Sequence, residues 1–468
     1  MVLNPVRVTY RQLDPRTRSK TYEEAILGYT QEAAREEAAR CINCRTKPCQ
    51  YACPALTRAP EYIKAIEEGN FTKALHIALE TYPIAGTLGR TCFHPCEDAC
   101  VVGKKGQPVA IMMLKRAADD YGAWPTKTDL HVPTSTGKKV AVIGSGPAGL
   151  AAATDLAKRG HKATIFEALP VYGGYMTVGI PGYRLPRDVI ERELEYMRMW
   201  GVEFRHNTTL GRDISIQQLR QEFDAVLVAV GTHSPRRVGI PGEDLFGVDF
   251  AVDWLRRFEL KEPVRCEGRV VIIGAGSVAM DAARNSLRLG AQSVTIVYRR
   301  SSRQMTASPE EFEQARDEGI RFIMLSAPKR IIGDANGKVK FVEFVQMQLG
   351  KPDESGRQTP EPIPSTEFIL QADTVIVAVG QNASPVKDAL VDYVEMDKYG
   401  GIKANPDLST KTPGIFAAGD IVLGPSSIIE SVGQAKTCAA TIHRYLMGIQ
   451  NGSTSSTQVE PTTPAAHG

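Results

Sequence analysis

The run Lys139-Val-Ala-Val-Ile-Gly144-Ser-Gly146-Pro147-Ala148-Gly149-Leu constrains this chain more than any other stretch. Its apolar residues predict a buried parallel strand, and the G-x-G-x-x-G that follows predicts a tight turn opening a helix. Gly144 permits the turn, Gly146 lets the backbone approach a pyrophosphate, and Gly149 lets the helix pack on the strand. The helix N-terminus then presents unpaired N–H groups and partial positive charge to phosphate. Lys162-Ala-Thr-Ile-Phe-Glu167 reads as the second strand. It ends in an acid placed to accept hydrogen bonds from a ribose 2′-OH.

A second such fold opens at Arg269-Val-Val-Ile-Ile-Gly274-Ala-Gly276-Ser277-Val278-Ala279. Its second strand, Ser293-Val-Thr-Ile-Val-Tyr298-Arg299-Arg300, carries Tyr298 where the first copy has Glu167. Losing the acid removes the 2′-OH partner and its repulsion, and adjacent guanidiniums favour a 2′-phosphate, so NADPH is expected over NADH. A phrase also recurs: Phe223-Asp-Ala-Val-Leu-Val-Ala-Val-Gly231 returns as Ala372-Asp-Thr-Val-Ile-Val-Ala-Val-Gly380. Two copies of a strand that closes a nucleotide fold imply two nucleotide domains.

The first domain has the marks of a flavin site. The glycine- and proline-rich stretch from Val171 through Gly174 to Pro186 reads as a long loop that brings backbone against a flat ligand. Arg187 to Trp200 reads as a helix. Thr412 to Asp420 is a buried strand ending in Gly419-Asp420, and residues 424–440 read as a loop running into a helix. Asp420 is placed to accept from a ribityl hydroxyl or a ribose group near the phosphates, with the helix N-terminus facing the flavin's pyrimidine edge.

Of nine cysteines, seven lie between Cys41 and Cys100. They fall into Cys41-x2-Cys44-x4-Cys49-x3-Cys53-Pro54 and Cys92-x3-Cys96-x3-Cys100. The first run is close to the ferredoxin spacing C-x2-C-x2-C-x3-C-P. Structural zinc favours paired C-x2-C knuckles, and only one is present, so the reading is iron–sulfur. Two cubane clusters need eight ligands and seven cysteines are available. Either His94, Glu97, Asp98 or Asp119 completes the set, or one cluster is incomplete. Cys266 and Cys438 stand alone in apolar surroundings and read as inert core thiols.

Around the cysteines the chain reads as helical. A capping-box spacing at Thr21 and Glu24 predicts a helix from about Thr21, continued over Gln31–Arg40. Amphipathic helices are expected over Pro60–Glu68 and Phe71–Tyr82, and one starting at Pro108. At 468 residues the chain is too long for one core. A net charge of +3 is too mild to argue for nucleic acid, and no apolar run is long enough to span a bilayer. The N-terminus lacks the apolar core of a signal peptide, so a cytoplasmic protein is expected.

In this order of elements the chain resembles the small (β) subunit of bacterial NADPH-dependent glutamate synthase from about residue 20 to 447. The same module is similar to the N-terminal part of dihydropyrimidine dehydrogenase and to the large subunit of NADH-dependent ferredoxin:NADP oxidoreductase. The marks are Cys41 to Pro54, Gly89 to Cys100, Gly173-Gly174 with Gly179-Ile-Pro and Arg184-Leu-Pro, and Val297-Tyr-Arg-Arg-Ser with Met305. The resemblance implies Cys41, Cys44, Cys49 and Cys100 around one [4Fe–4S] cluster, and Cys53, Cys92 and Cys96 around another. In the family a Glu or Gln completes the second cluster; the aligned residue here is Lys115.

The expected architecture is α/β. A helical iron–sulfur domain (1–125) and a linker (126–138) precede a Rossmann-like FAD domain (139–258 and 375–450), into which a Rossmann-like NAD(P)H domain (259–374) is inserted. A disordered tail (451–468) follows. No acid–base residue is expected, because flavin and nicotinamide carry the hydride chemistry. The expected function is a subunit passing electrons between NAD(P)H, FAD, one or two [4Fe–4S] clusters and a partner, the glutamate synthase large subunit first. The alternatives are an electron-exit subunit of a ferredoxin-linked or 2-oxoacid/aldehyde oxidoreductase complex reducing NAD(P)+, a self-contained diaphorase-like enzyme, and a non-redox docking subunit.

Overall fold

The computed structural model describes residues 4–353, 356–384 and 386–449; the expected tail, 451–468, lies outside them. Two five-stranded parallel sheets dominate the chain. In the first, Ile415–Ala417, Ala225–Val228, Lys139–Ile143, Lys162–Phe166 and Glu203–Arg205 lie side by side in that order. In the second the order is Arg321–Ile323, Ser293–Val297, Arg269–Ile273, Thr374–Val377 and Val248–Phe250. The central strands are apolar on both faces because helices cover both, as parallel sheets require. The repeated phrase therefore supplies the same neighbour strand to both glycine-turn strands, Ala225–Val228 in one sheet and Thr374–Val377 in the other.

That pairing moves the domain limits. Val248–Phe250, the helix Ala251–Glu259 and Thr374–Val377 were expected in the FAD domain, with crossings near 259 and 375. Hydrogen bonding puts both strands in the second sheet. The chain crosses at Ser234–Pro235 and Gln381–Asn382, which pair antiparallel as a two-stranded bridge. The inserted domain also carries an antiparallel sheet built on the long strand Val339–Pro352.

In the N-terminal region the helices Ala59–Glu67, Phe71–Thr81 and Ile111–Tyr121 pack around a core containing Tyr62, Ile66, Leu75 and Leu114. Two expectations fail here. No helix starts at Thr21: its hydroxyl accepts from Glu23 N in a local turn, and Ile26–Gly28 pairs as a short strand with Arg11–Gln12. The helix begins instead at Gln31, capped by Thr30. Pro108 does not open the third helix either, which starts at Ile111. The Pro108 carbonyl is taken by Arg7 and Arg40, which fasten the segment to the N-terminal arm.

The same arm crosses to the inserted domain. Arg18, Arg284 and Arg288 converge on Glu318, at 3.0, 2.6 and 2.9 Å, and all four side chains are buried. Arg288 also donates to the carbonyls of Arg18 and Thr21 and stacks 3.7 Å from the Tyr183 ring centre. Burial alone would push the Glu318 carboxyl up, but the guanidiniums of Arg284 and Arg288 outweigh it and hold it below its usual value. A carboxylate with a depressed folded-state value stabilises above its unfolded value, about pH 4.3, and loses that contribution as pH falls through the folded one. Glu318→Ala leaves three buried guanidiniums without their anion and should cost about 3–5 kcal/mol. Urea denaturation at pH 7 should register the loss, and the gap between wild type and variant should close on acidification.

Candidate active site: the nucleotide turns and the cysteine sites

A cavity of about 300 Å³ opens at the C-terminal edge of the first sheet, the usual ligand position in open α/β folds. Gly144, Gly146, Pro147, Ala148, Glu167, Gly174, Gly231, Gly419 and Asp420 all line it. Gly144 has φ 101°, and a Cβ there would sit 2.4 Å from the Ala229 carbonyl oxygen. At Gly146 a Cβ would meet no atom within 4 Å, leaving backbone open to a ligand. Gly149 lies behind the turn, against the Gly144 carbonyl and Val142.

Glu167 is buried at the cavity wall. It accepts from Ser145 N at 2.9 Å, Ser145 Oγ at 2.6 Å and Leu169 N at 2.8 Å. Asp420 accepts from Ser426 Oγ at 2.7 Å and Ser431 Oγ at 3.1 Å, and burial pushes its carboxyl up. The helix Ile428–Leu446 starts at the cavity, capped by Ser427.

Sequence reasoning missed several lining residues: Ser145, Tyr175, Thr232, His233 and, from the inserted domain, Arg256. The Tyr175 and His233 rings lie 4.8 Å apart. Burial, and then Arg256, lower His233 to about 4, so it is neutral at pH 7. Thr232 and His233 directly follow the repeated strand phrase, the one sequence signal that could have located them.

The second glycine turn repeats the first. Gly274 has φ 126°, and a Cβ there would lie 2.1 Å from the Ala378 carbonyl oxygen. Gly276 caps the helix Ser277–Arg288, with Val278 and Ala279 in its first turn. Ser277 Oγ donates to Glu311 at 2.8 Å. Gly380, at φ 113°, ends the strand phrase that supplies Ala378. Arg299 and Arg300 part company at the end of their strand. Arg300 is buried and donates to the Gln358 carbonyl at 2.8 Å and to Asp353 at 3.2 Å. Arg299 is exposed, and its basicity is lowered by partial desolvation and then by Arg300, Arg357 and Arg236.

The cysteines form two groups. Cys41, Cys44, Cys49 and Cys100 line one small pocket with Ile42, Pro48, Ile63 and Val102. Burial, followed by Cys41, Cys100 and Cys44, pushes the Cys49 thiol up to about 11. Thiols crowded this way call for a cationic centre, and four thiolates in an apolar pocket suit an iron–sulfur cluster. Cys53, Cys92 and Cys96 form the second group: burial pushes the Cys92 and Cys96 thiols up, and the nearby Lys115 ammonium opposes the rise. None of the nine cysteines is in a disulfide. Cys438 is buried in the C-terminal helix, and Cys266 donates to the Ser286 carbonyl, so neither joins the groups.

Residues 18–125 match the family described as dihydropyrimidine dehydrogenase domain II, 4Fe-4S cluster, and residues 138–437 match pyridine nucleotide-disulphide oxidoreductase. The glutamate synthase [NADPH] small chain of Halomonas elongata is 35% identical over 92% of this chain and 94% of its own length. The chain belongs to the glutamate synthase small-chain family of pyridine nucleotide-disulphide oxidoreductases. Its cofactors are accordingly FAD, NAD(P)H and [4Fe–4S] clusters. An NADP(+)-dependent formate dehydrogenase subunit beta from Moorella thermoacetica is 42% identical over 88% of this chain, which spans 61% of that relative. Such small-chain and beta-subunit relatives are parts of larger enzymes. Among solved structures, Mycobacterium tuberculosis FprA in complex with NADPH shares the fold, with TM-score 0.58, 23% identity and coverage of 68% of this chain and 86% of that one. Among the described residues, no helix is long and apolar enough to cross a membrane.

The two turns can be told apart in this small-chain relative. A side chain at φ above +20° adds strain of about 1–3 kcal/mol to the carbonyl clash. Gly144→Ala should purify without flavin, by the ratio of visible to ultraviolet absorbance. Gly274→Ala should keep its flavin and lose reduction by NADPH in anaerobic stopped flow.

Proposed function

We propose that the chain is an electron-transfer subunit that takes hydride from NADPH at a bound FAD and delivers single electrons through [4Fe–4S] clusters to a larger partner. The observation that carries this reading is the pairing of two glycine-turn folds with a four-cysteine site in one chain. Bound FAD supplies the junction between two-electron and one-electron chemistry. Gly144, Gly146 and the helix start at Pro147 hold its pyrophosphate, Glu167 its ribose, and Asp420 a ribityl or ribose hydroxyl. Tyr175, His233 and Arg256 shape the end of the cavity where the inserted domain reaches the first. His233 is neutral there and adds no positive charge.

NADPH belongs on the second turn, with pyrophosphate at Gly274, Gly276 and the helix N-terminus from Ser277. Arg299 is the 2′-phosphate ligand. Arg300, expected to share that task, spends its guanidinium on Gln358 and Asp353 and serves to brace the strand end.

The cysteine groups have an order. Pro54, next to Cys53, packs its carbonyl against Gly433 in the helix that starts at the flavin cavity. The Cys53 group is therefore the inner one. Cys41, Cys44 and Cys100 are partly exposed, and Ile42 and Tyr51 beside them are solvent-facing apolar side chains. Electrons leave on that face. The near full-length match to a glutamate synthase small chain favours that enzyme's large subunit as partner. The Moorella relative favours a second reading, a dehydrogenase partner whose electrons leave as NADPH.

Purified anaerobic protein should lose its flavin absorbance on adding NADPH and pass electrons to a one-electron acceptor. Flavin left oxidised by both NADPH and NADH would rule the reading out. One charge-assisted hydrogen bond contributes about 1.5–3 kcal/mol. Arg299→Ala should therefore raise the KM for NADPH roughly tenfold to a hundredfold and leave that for NADH unchanged; equal effects on both cofactors would reassign Arg299.

A further inference from the structure

The wall of the flavin cavity carries one polar atom that nothing in the chain satisfies. Tyr175 lines the cavity and opens the short helix Tyr175–Val178 directly after Gly174. Its hydroxyl oxygen is buried and has no hydrogen-bond partner. Among the described residues, no other side chain on the cavity wall holds such an atom. A hydroxyl shut away from water and left unpaired is costly, so it calls for a partner.

The ring is fixed by its packing. A Cβ on Gly179 would lie 2.0 Å from Tyr175 Cδ1, so the glycine leaves the ring its place. The His233 ring packs on it with centres 4.8 Å apart and planes 33° apart. The charged groups that act on Tyr175 are committed elsewhere. Arg256 and Asp253 pair with each other at 2.7 Å. Asp420 accepts from Ser426 at 2.7 Å, Ser431 at 3.1 Å and Thr232 at 3.4 Å.

The residue also stands at the right end of the cavity. Gly174 lies against the first glycine turn, where a Cβ would meet Gly146 Cα at 2.9 Å, so the chain enters Tyr175 from the pyrophosphate side. Hydride comes from the inserted domain, so the isoalloxazine ring belongs at the end that Arg256 lines, and Tyr175 is at that end.

We propose that the Tyr175 hydroxyl donates a hydrogen bond to an acceptor atom on the isoalloxazine ring of bound FAD. This rests on the flavin reading of the cavity given above. Burial pushes the phenol above its usual value, so at pH 7 it is a donor. A reduced flavin ring carries more electron density than an oxidised one. A donor at its edge therefore stabilises the reduced form more and raises the flavin midpoint potential.

The test uses the full-length protein loaded with FAD and prepared anaerobically. Tyr175→Phe keeps the ring against Gly179 and His233 and removes only the donor. The expected result is a lower flavin midpoint potential, a shifted visible absorption band and a roughly twofold to tenfold higher Kd for FAD. Affinity for NADP+ should not change. A folded, flavin-loaded Phe variant with wild-type potential and spectrum overturns the proposal. So does a variant whose only change is weaker NADP+ binding, which would give the hydroxyl to the nicotinamide. A wild-type measurement stands apart from the variant's folding. With isotope-labelled tyrosine, the infrared difference between flavin-loaded and flavin-free protein should show a shifted tyrosine C–O band, and a difference spectrum without one overturns the proposal. Flavin content and bleaching by NADPH are read in the same samples, so failure here is distinguishable from failure of the flavin reading.

Discussion

Both nucleotide folds depend on one contact: a glycine turn pressed against the carbonyl of the strand beside it. Gly144 meets Ala229 and Gly274 meets Ala378, and no side chain fits between. Ala229 and Ala378 occupy the same place in the repeated phrase, so the internal repeat is a repeat of this contact. It sets where each helix starts and therefore where its N-terminal N–H groups point. The folds diverge one strand over. Glu167 braces the first turn through Ser145, so the acid proposed for ribose recognition also shapes the loop that approaches phosphate. In the second fold Tyr298 donates instead to the Gln304 carbonyl at 2.7 Å, and the space beside it goes to arginines.

Hydride transfer needs reacting atoms about 3–3.5 Å apart, so two domains that each hold one partner must also hold each other. Buried or half-buried ionic contacts do this. Arg184, from the loop after Gly174, grips Asp281 on the inserted helix at 2.7 Å. Arg187 reaches Glu259 at 2.6 Å. The N-terminal arm is tied separately to the inserted domain, through Arg18 and the Glu318 network. Burial raises Asp281 to about 6, and Arg184 opposes the rise. Such pairs add little net stability over apolar packing. Their value here is geometric, because guanidinium–carboxylate contacts fix orientation in a way that greasy surfaces do not.

The parallel sheets were legible because buried strands announce themselves as apolar runs ending in glycine, and the two helices between the cysteine runs, Ala59–Glu67 and Phe71–Thr81, follow simple apolar periodicity. Three things were not legible. The helix expected at Thr21 failed because a Thr–Glu spacing also serves a local turn, and pairing between Ile26–Gly28 and Arg11–Gln12 decided the outcome. The domain limits failed because Val248–Phe250 is three residues long and carries no pattern of its own; only its partner strand places it. Arg300 looked equivalent to Arg299, since neighbouring strand residues face opposite ways and sequence does not say which faces the ligand. Tyr175, His233 and Arg256 come together from three separate segments, and only the fold brings them to one cavity.

The sequence spacing that made the cysteines conspicuous also hid their asymmetry. Cys53 and Cys49 are neighbours in one ferredoxin-like run, yet they serve different groups. The short helix Pro48–Tyr51 carries Cys49 and ends before Cys53, and the opposing helix Pro95–Asp98 sends Cys96 one way while Cys100, just beyond it, goes the other. Two short helices packed against each other thus sort seven thiols into four and three. In the set of four, Cys49 is buried and Cys41, Cys44 and Cys100 are partly exposed. In the set of three, Cys53 and Cys92 are buried and Cys96 is half-buried, and Cys53 is one residue away from backbone that touches the helix Ile428–Leu446. Solvent exposure and net charge both tune cluster potentials. Two groups that differ in thiol number and in burial would differ in potential if each held a cluster, without any change in cluster type.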